Sequence, residues 1–338
     1  INDPEAQEPF VQKASIGFQH AINQNWMVSS DYVYTRGDHE PRYQVINPRI
    51  ENVCNPAYPG STPNSPRCPR GVNSRYFDAA FVAAGLPANR LEQINMFTTT
   101  NESRFHGLTN TLKGRFGRSQ VSLSYVLAGS RSWGGQPTAS YSGNGIAIAP
   151  DNQFKEGEWG PTRLDERHRF VASAVVDLPF AVQLAPIFQY ASSRPYSLNT
   201  GFDIDGDGLN TLDRLCAGVD PPAAFGVRGN TTALRALNPL GCQQTSVNTQ
   251  RGGFVVNPDG SIDEVSGRYL NMDLRITKTF TFAQRFRARI YADLYNLFNT
   301  KNLYFGSNGR LGLSTATSAG TFMQASSARR WGAPLRRP

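Results

Sequence analysis

The sequence predicts an all-β protein, an antiparallel transmembrane β-barrel of which about eight strands are present, with long extracellular loops. Along eight segments the side chains alternate between apolar and polar, as in strands whose two faces meet different surroundings. Short turns and long loops alternate between these segments, as they do in barrels of the bacterial outer membrane. Because backbone groups cannot stay unpaired in lipid, such strands are expected to close into a barrel.

The first hairpin is predicted over residues 13–35, with its turn at 23–25. Apolar residues fall on one face of both strands, and Ser, Thr, Gln and Asp fall on the other. In a membrane barrel the apolar face contacts lipid and the polar face lines a wet lumen. The apolar positions are Ile16, Phe18, Trp26, Val28, Tyr32 and Tyr34.

The second and third hairpins are predicted over residues 104–131 and 165–190. Gly117 belongs to the turn of the second hairpin, and Pro179 with Phe180 forms the turn of the third. One polar residue, Asn110, interrupts the lipid face. The apolar positions are Leu108, Leu112, Phe116, Val121, Leu123, Tyr125, Leu127, Phe170, Ala172, Ala174, Val176, Leu178, Val182, Leu184, Phe188 and Tyr190.

The fourth hairpin lies within residues 268–302 and has the clearest alternation in the chain. Leu270, Met272, Leu274 and Ile276 share one face of its first strand, and the second strand continues the pattern. The opposite face bears full charges of both signs in mid-strand, which favours cross-strand charge pairs lining the lumen. These charges could instead contact a ligand. The lumen candidates are Asp273, Arg275, Arg287, Arg289 and Asp293.

Three long loops, at about 37–100, 132–165 and 197–267, separate the hairpins, and two of them contain cysteine pairs. Export to an oxidising compartment favours disulfides, which would limit the conformational freedom of long loops. Four cysteines allow three pairings. We predict the pairings within single loops, Cys54 with Cys68 and Cys216 with Cys242, and no zinc site, because no Cys-x-x-Cys spacing or nearby histidine accompanies them.

An acidic segment in the third loop resembles a calcium-binding loop. Asp203, Asp205 and Asp207 stand at alternate positions and a glycine follows, so their carboxylates could surround a hard cation. The twelfth position is Arg214 rather than glutamate, and Asp213 stands one residue early. The segment is therefore either a calcium site or a merely acidic, turn-forming loop.

Composition excludes some classes of protein. No apolar run is long enough for a transmembrane helix. The net charge of +8 comes from 34 basic and 26 acidic residues, without a compact basic run among aromatics, so nucleic-acid binding is not expected. The positive net charge is explained equally well by a basic rim that faces anionic lipopolysaccharide or by solvated charges on the strands. The four histidines are scattered and no nucleophile elbow is present, so we predict no enzyme activity.

Several short motifs resemble one family, the TonB-dependent outer-membrane receptors, and within it the Oar-like group. They occur in the family's order over most of the chain. They are S-I-G-F-Q-H-A-I at 15–22, D-Y-V-Y-T-R-G at 31–37, F-H-G-L at 105–108, D-E-R-H-R-F-V-A-S at 165–173, D-L-P-F at 177–180, D-I-D-G-D-G at 203–208 and D-L-Y-N-L-F-N at 293–299.

The resemblance implies a larger barrel with an internal plug and a TonB box, which imports or binds a large nutrient of the siderophore, glycan or peptide class. No segment of residues 1–338 resembles the plug or the TonB box, and residues 1–9 contain no export signal. We therefore expect residues 1–338 to be the C-terminal portion of such a barrel, contacting the TonB complex through a part not included. Alternatives are a non-transporting adhesion or binding barrel, an outer-membrane hydrolase and a secreted β-sandwich.

Overall fold

A computed structural model describes residues 1–47, 75, 77–87, 91, 94–134, 157–202, 204, 213–239, 241–257, 259–283, 285–303 and 310–313. Among these residues no helix is long and apolar enough to cross a membrane. The predictions for Cys54, Cys68, Asp203, Asp205 and Asp207 concern positions outside the described residues.

Eight long strands form one antiparallel sheet in which each strand pairs with the next along the path β1-β2-β3-β4-β6-β7-β12-β13, and a short strand, β5, extends the end of β4. All-antiparallel pairing in this order is that of a barrel wall. The strands are β1 (Phe10–Ala21), β2 (Trp26–Val45), β3 (Asn95–Phe116), β4 (Ser119–Trp133), β5 (Trp159–Pro161), β6 (His168–Leu178), β7 (Val182–Ala191), β12 (Tyr269–Phe282) and β13 (Phe286–Leu294).

Four tight turns join these strands into the four predicted hairpins. In the first turn the Asn23 side chain accepts hydrogen bonds from the backbone N–H groups of Asn25 and Trp26 at 2.8 and 3.0 Å. Gly117 has φ +57° in the second turn, a conformation that glycine adopts without a steric penalty. In the third, the 3-10 turn Pro179–Ala181 contains Phe180 at φ +64°. The hairpin predictions are confirmed.

The apolar faces of the strands form one continuous surface. Ile16 pairs with Tyr32, Tyr32 with Leu108, and Leu108 with Leu127, so apolar side chains continue from one strand to the next across β1 to β4. Ile16 is 74% exposed and Ile290, at the other end of the sheet, is 64% exposed. A water-soluble sandwich would cover such side chains with a second layer. Lipid is the solvent that suits this face, and the predicted fold class is confirmed.

Aromatic residues mark both edges of the apolar band. At the short-turn end the rings of Trp26 and Phe116 meet edge to face, with centroids 5.1 Å apart. Towards the long-loop end the Tyr34 and His106 rings lie 4.9 Å apart. Ten residues separate Phe116 from His106, so at a rise of about 3.4 Å per residue and a tilt of about 40° the band is about 26 Å tall. This height matches the hydrocarbon thickness that outer-membrane barrels span.

The second and third strands continue well beyond the band. They remain paired from Arg36 opposite Arg104 to Val45 opposite Asn95, with two register shifts near Glu40. The apolar and polar alternation predicts that these strands end near residues 35 and 104. Strands above the bilayer need not alternate, because water contacts both faces, and the pattern used for prediction is therefore lost there.

The hydrophobic core lies outside the barrel wall, in a folded part of the third long loop that we call the outer unit (the described residues of 195–265 together with 310–313). Its elements are β8 (Pro195–Asn199), α2 (Pro221–Gly226), α3 (Thr231–Leu237), β9 (Gln250–Arg251), β10 (Gly253–Val256), β11 (Ile262–Val265) and β14 (Arg310–Gly312); one further helix, α1 (Asp78–Ala83), belongs to the first loop. The buried cluster consists of Tyr196, Leu198, Phe202, Ile204, Leu215, Ala224, Phe225, Leu234, Phe254 and Leu313.

The two short helices of the outer unit begin at side-chain caps. Asp220 accepts a hydrogen bond from the Ala223 N–H at 3.3 Å and is followed by proline, which suits the first turn of a helix. Asn230 caps α3 in the same way, accepting from the Ala233 N–H at 3.1 Å. Helices of this length are marginal alone, so burial of Phe225 and Leu234 in the common core stabilises them.

Candidate functional site: the polar face of the wall and the outer unit

The polar face of the sheet is concave and surrounds a cavity of about 770 Å³ near the short-turn end. Lys113 and Arg115 come from β3, Gln120 and Ser122 from β4, and Ser173 from β6. Strand alternation sets all five on this face, because Lys113 pairs with Ser122 and Ser122 with Ser173. Apolar side chains, among them Met27, Val175 and Ile187, also line the cavity, so its surface combines two cations, hydroxyl and amide groups with apolar area.

The charged row of the fourth hairpin lies on the same face. Arg275 and Asp293 are direct cross-strand partners and form a bidentate ion pair, with Nε–Oδ1 at 2.6 Å and Nη2–Oδ2 at 2.9 Å. The guanidinium also lies 5.0 Å from the ring centre of Tyr291. This geometry fixes both side chains, so the pair is part of the wall.

The other three lumen candidates differ in how far they are engaged. Asp273 accepts a hydrogen bond from the Asn296 N–H at 2.8 Å, which holds the chain where it leaves β13. Arg287 and Arg289 stand opposite Thr281 and Thr279. Neither arginine has an ion-pair partner within the described part of the chain. Of the five predicted residues, these two have the charge most available to a ligand.

The D-E-R-H-R-F motif connects the wall to the outer unit. Asp165 is buried, accepts a hydrogen bond from the Ser130 N–H at 3.0 Å and forms an ion pair with Arg251 of β9. Arg251 also donates to the Asp165 and Ser193 carbonyl oxygens at 3.0 and 2.7 Å. The neighbouring Glu166 pairs with Arg194 at 2.9 Å. The motif thus fixes the outer unit at the start of β6.

A second ionic contact joins the outer unit to the segment that precedes β5. Arg214 binds Glu158 at 2.6 Å and donates to the Thr245 carbonyl oxygen at 2.7 Å, and both charged side chains are largely buried. Burial lowers the pKa of nearby Arg42 to about 10, while the Glu158 carboxylate opposes that shift. The pair therefore lies where charges attract more strongly than in water.

The outer unit lies on the lumen side of the extended strands. Gly160 of β5 pairs with Ser132, which shares the lumen side of β4 with Ser130 and Ala128. A Cβ at Gly160 would lie 2.7 Å from the Val247 carbonyl oxygen of the outer unit. Asn248 donates to the Pro161 carbonyl oxygen at 2.7 Å in the same region. The outer unit therefore covers the lumen above the concave polar face.

Of the predicted calcium ligands, Asp213 is described. It is buried, and its Oδ1 atom accepts hydrogen bonds from the Ile204 N–H at 3.0 Å and the Gln244 side chain at 2.8 Å. That oxygen thus stabilises the loop. Within the described ranges no three His, Cys, Asp or Glu residues come together as a metal site. Calcium binding by the acidic segment stays a prediction.

One of the two predicted disulfides involves described residues. Cys216 and Cys242 are bonded, with their Cα atoms 5.7 Å apart and a sequence separation of 26, and the segment that they close contains both helices of the outer unit. The Cys216 N–H also donates to the Asn238 side chain at 2.9 Å.

Polar groups on the lipid face are paired across strands, which the alternation of the sequence does not predict. Tyr32 and Tyr125 hydrogen-bond to the Nδ1 atoms of His106 and His168 at 2.7 and 2.8 Å. The interrupting Asn110 accepts a hydrogen bond from the hydroxyl of Ser30 at 2.8 Å. Because the partners lie far apart in the sequence, only the strand register brings them together. His168 therefore contributes to wall packing.

Comparison with known proteins adds two findings. Residues 1–332 match the sequence family described as outer membrane beta barrel domain. Among solved structures, the fold is similar to the outer membrane transporter YddB from Escherichia coli, at 11% identity and a TM-score of 0.45. That alignment covers 90% of this chain and 30% of the transporter, so the chain spans less than a third of its length. A search of curated proteins gives no match.

Proposed function

Because this chain belongs to the outer membrane beta barrel domain family, and so to the bacterial outer membrane, we propose that it is the C-terminal part of a TonB-dependent receptor barrel that binds and imports a large nutrient. One observation supports this proposal most directly. A folded outer unit covers a lumen whose wall bears hydroxyl, amide and cationic side chains beside apolar ones, and Lys113 and Arg115 lie at the opposite end of that lumen. A solute bound at the outside would have a hydrated path along the wall.

The sheet requires further strands in order to work in a membrane. Within the described residues, β1 and β13 are the two ends of the strand path, and each pairs on one side. Unpaired N–H and C=O groups cost several kcal/mol each in hydrocarbon, so another part of the barrel must cover both edges. A barrel larger than eight strands has room for the plug that the proposed receptor class uses.

The outer unit is the proposed ligand-binding element. It is built on its own core and is held by the Asp165–Arg251 and Glu158–Arg214 ion pairs, so its surface is preorganised. Preorganisation lowers the entropic cost of binding. Siderophores, glycans and peptides are the solute classes proposed, and we propose binding and passage without catalysis.

Uptake measurements test this function. A strain lacking the gene would be supplied with a ferric siderophore, an oligosaccharide or an oligopeptide, each radiolabelled, and accumulation would be compared before and after complementation. We expect one class to accumulate only with the gene present, and a protonophore to abolish accumulation while surface binding persists. Accumulation that is insensitive to the protonophore, or equal without the gene for all three probes, would contradict the proposal.

A second function, a surface adhesion or binding barrel that transports nothing, is favoured by the rigid attachment of the outer unit. Three fixed contacts, at Asp165, Glu158 and Pro161, hold this cover over the lumen. Binding of a probe at the cell surface without any protonophore-sensitive accumulation would select this alternative.

A further inference from the structure

Three arginines stand side by side on the lipid face of the wall, just above the aromatic edge of the apolar band. Arg36 of β2 pairs directly with Arg104 of β3, and Arg104 pairs directly with Arg131 of β4. Directly opposed residues point to the same face with Cβ atoms about 5 Å apart. The register is continuous from Tyr34 opposite His106, so the three guanidiniums share the face that bears the lipid-contacting residues.

A fourth guanidinium borders this row. A Cβ at Gly129 would point towards the Arg167 guanidinium carbon at 3.9 Å, and Gly129 stands opposite His106 on the lipid face. The Arg167 side chain is 45% exposed, and its ion-pair contact with Asp165 is long, at 3.5 Å. We call Arg36, Arg104, Arg131 and Arg167 the arginine row.

Carboxylates offset only part of this charge. Arg36 pairs with Asp38 at 2.8 Å and Arg104 with Glu102 at 2.7 Å, which orients both guanidiniums. Both remain exposed, at 41% and 47% of the side chain. Arg131 is exposed and has no carboxylate partner in the described part of the chain. Like charges directly opposite one another destabilise a sheet, so a bound anion would stabilise this row.

The height of the row identifies the anion. Arg104 lies two residues beyond His106, which at the same rise and tilt is about 5 Å above the apolar band. Trp133 and its partner Trp159 lie about one residue pair, or about 5 Å, above the row, with ring centres 5.3 Å apart, and the Arg104 guanidinium lies 5.4 Å from the Trp159 ring. Tryptophan is enriched at the level of lipid headgroups. Arginine binds phosphate with two parallel hydrogen bonds.

We propose that the arginine row binds the phosphate groups of a phosphorylated glycolipid of the outer leaflet, namely lipopolysaccharide. The long loops lie at this end of the wall, which sets the row in the outer leaflet. The acyl chains then lie along the apolar band below, and the sugar headgroup lies beside the strand extension. This inference requires the membrane location of the barrel and is independent of whether the barrel transports a solute.

Binding of purified lipopolysaccharide to the full chain in detergent micelles tests the proposal. The probes are deep-rough lipopolysaccharide, the same lipid after enzymatic dephosphorylation, and inorganic phosphate as competitor. We expect the wild-type protein to bind the phosphorylated lipid at least about 10-fold more tightly than the dephosphorylated lipid, since charge-assisted hydrogen bonds are lost. Inorganic phosphate at equal concentration should not compete, because it lacks the acyl chains.

Variants locate the site. Arg104→Gln with Arg131→Gln should weaken binding of the phosphorylated lipid about 10-fold or more and leave the dephosphorylated lipid unaffected. The matched control is Arg118→Gln with Arg285→Gln, which removes the same charge from exposed turns at the other end of the wall; its affinity should equal that of the wild type.

Three results would overturn the proposal: equal affinity for both lipids, an equal loss in the control, or competition by inorganic phosphate at matching concentration. The comparison of the two lipids uses wild-type protein alone. It therefore decides the question even if the double variant does not fold. Uptake experiments on the proposed transport function have no bearing on this outcome.

Discussion

The Arg251 guanidinium forms an ion pair with the buried Asp165 carboxylate and thereby fixes the outer unit to the start of β6. Asp165 has an exposed fraction of only 1% in its side chain, whereas Arg251 is 30% exposed. Removing one partner of a buried pair leaves an uncompensated charge. The contact is therefore a point at which the attachment of the outer unit can be broken selectively.

We expect Arg251→Ala to loosen the outer unit by at most about 3 kcal/mol, the lower end of the range for a broken buried pair, because Arg251 is partly hydrated and Arg167 still lies 3.5 Å from Asp165. Limited proteolysis of the membrane-embedded protein should show faster cleavage within 213–257. The exposed Lys301→Ala variant serves as control. The double variant with Asp165→Asn and Arg251→Ala should be cleaved more slowly than Arg251→Ala alone, because the unpaired carboxylate is removed. Equal cleavage rates in all variants would mean that the contact does not hold the outer unit.

Gly160 should not tolerate a side chain. In Gly160→Ala the new Cβ would lie 2.7 Å from the Val247 carbonyl oxygen, so the outer unit must shift, at a cost of about 1–3 kcal/mol. Thermal unfolding followed by near-ultraviolet circular dichroism measures the loss. Gly129→Ala is the matched control on β4, because among the described residues no atom lies closer than 3.9 Å to its Cβ. Adding Val247→Ala to Gly160→Ala should restore only part of the lost thermal stability, since the close contact with the carbonyl oxygen involves the backbone.

Of two adjacent positions on β3, only the one on the lipid face should be sensitive to substitution by arginine. Leu112 faces lipid opposite Leu123, and Thr111 faces the lumen opposite Ser124. Arginine near the middle of the lipid face costs about 2–4 kcal/mol, whereas a charge in a wet lumen is tolerated. Heat-modifiable migration in gels measures the fraction of the protein in the outer membrane that is folded. This folded fraction should decrease for Leu112→Arg and stay unchanged for Thr111→Arg. Equal behaviour of the two variants would contradict the assignment of the faces.

The upper end of β2 should become more stable in mild acid through Glu40. Burial raises the pKa of Glu40, although the Ser103 hydroxyl, which donates to Oε1 at 2.5 Å, opposes the shift. An acid whose folded-state pKa is raised stabilises the fold when protonated. This contribution is complete below its ordinary pKa and is lost as the pH rises through the raised value.

Melting temperatures between pH 7 and pH 4 check this expectation. Glu40→Gln, which stays neutral and can still accept from Ser103, should melt above the wild type at pH 7, and the difference should shrink as the pH falls. The exposed Glu8→Gln variant should show no such trend. A difference between Glu40→Gln and wild type that is constant with pH would mean that Glu40 does not titrate with folding.

The wall of this protein could be predicted from its sequence because lipid imposes a period of two on every strand that it contacts. Ile16, Leu108 and Ile276 lie on the predicted face for that reason. The prediction stopped at Arg36 and Arg104, where the band ends. Beyond them water contacts both faces, and pairing with the neighbouring strand holds the backbone without an apolar pattern.

The outer unit and its contacts were not predictable in the same way. Its core joins residues as distant as Tyr196 and Leu313, and its helices are too short to show a helical period. The arginine row likewise depends on register, because Arg36, Arg104 and Arg131 come from three strands. Charged residues in the alternation suggested a lumen for Asp273 and Arg275, yet the sequence could not show which of them are engaged within the wall.

Separate packing of the wall and the outer unit has a consequence for how such a surface protein changes over time. Long loops of outer-membrane barrels lie outside the cell, so agents that attack from outside meet the outer unit, whose folding depends on a core of its own, and not the residues that lipid covers. Exposed positions on that unit can therefore diverge under attack from outside while the membrane-embedded strands retain the pattern that insertion demands.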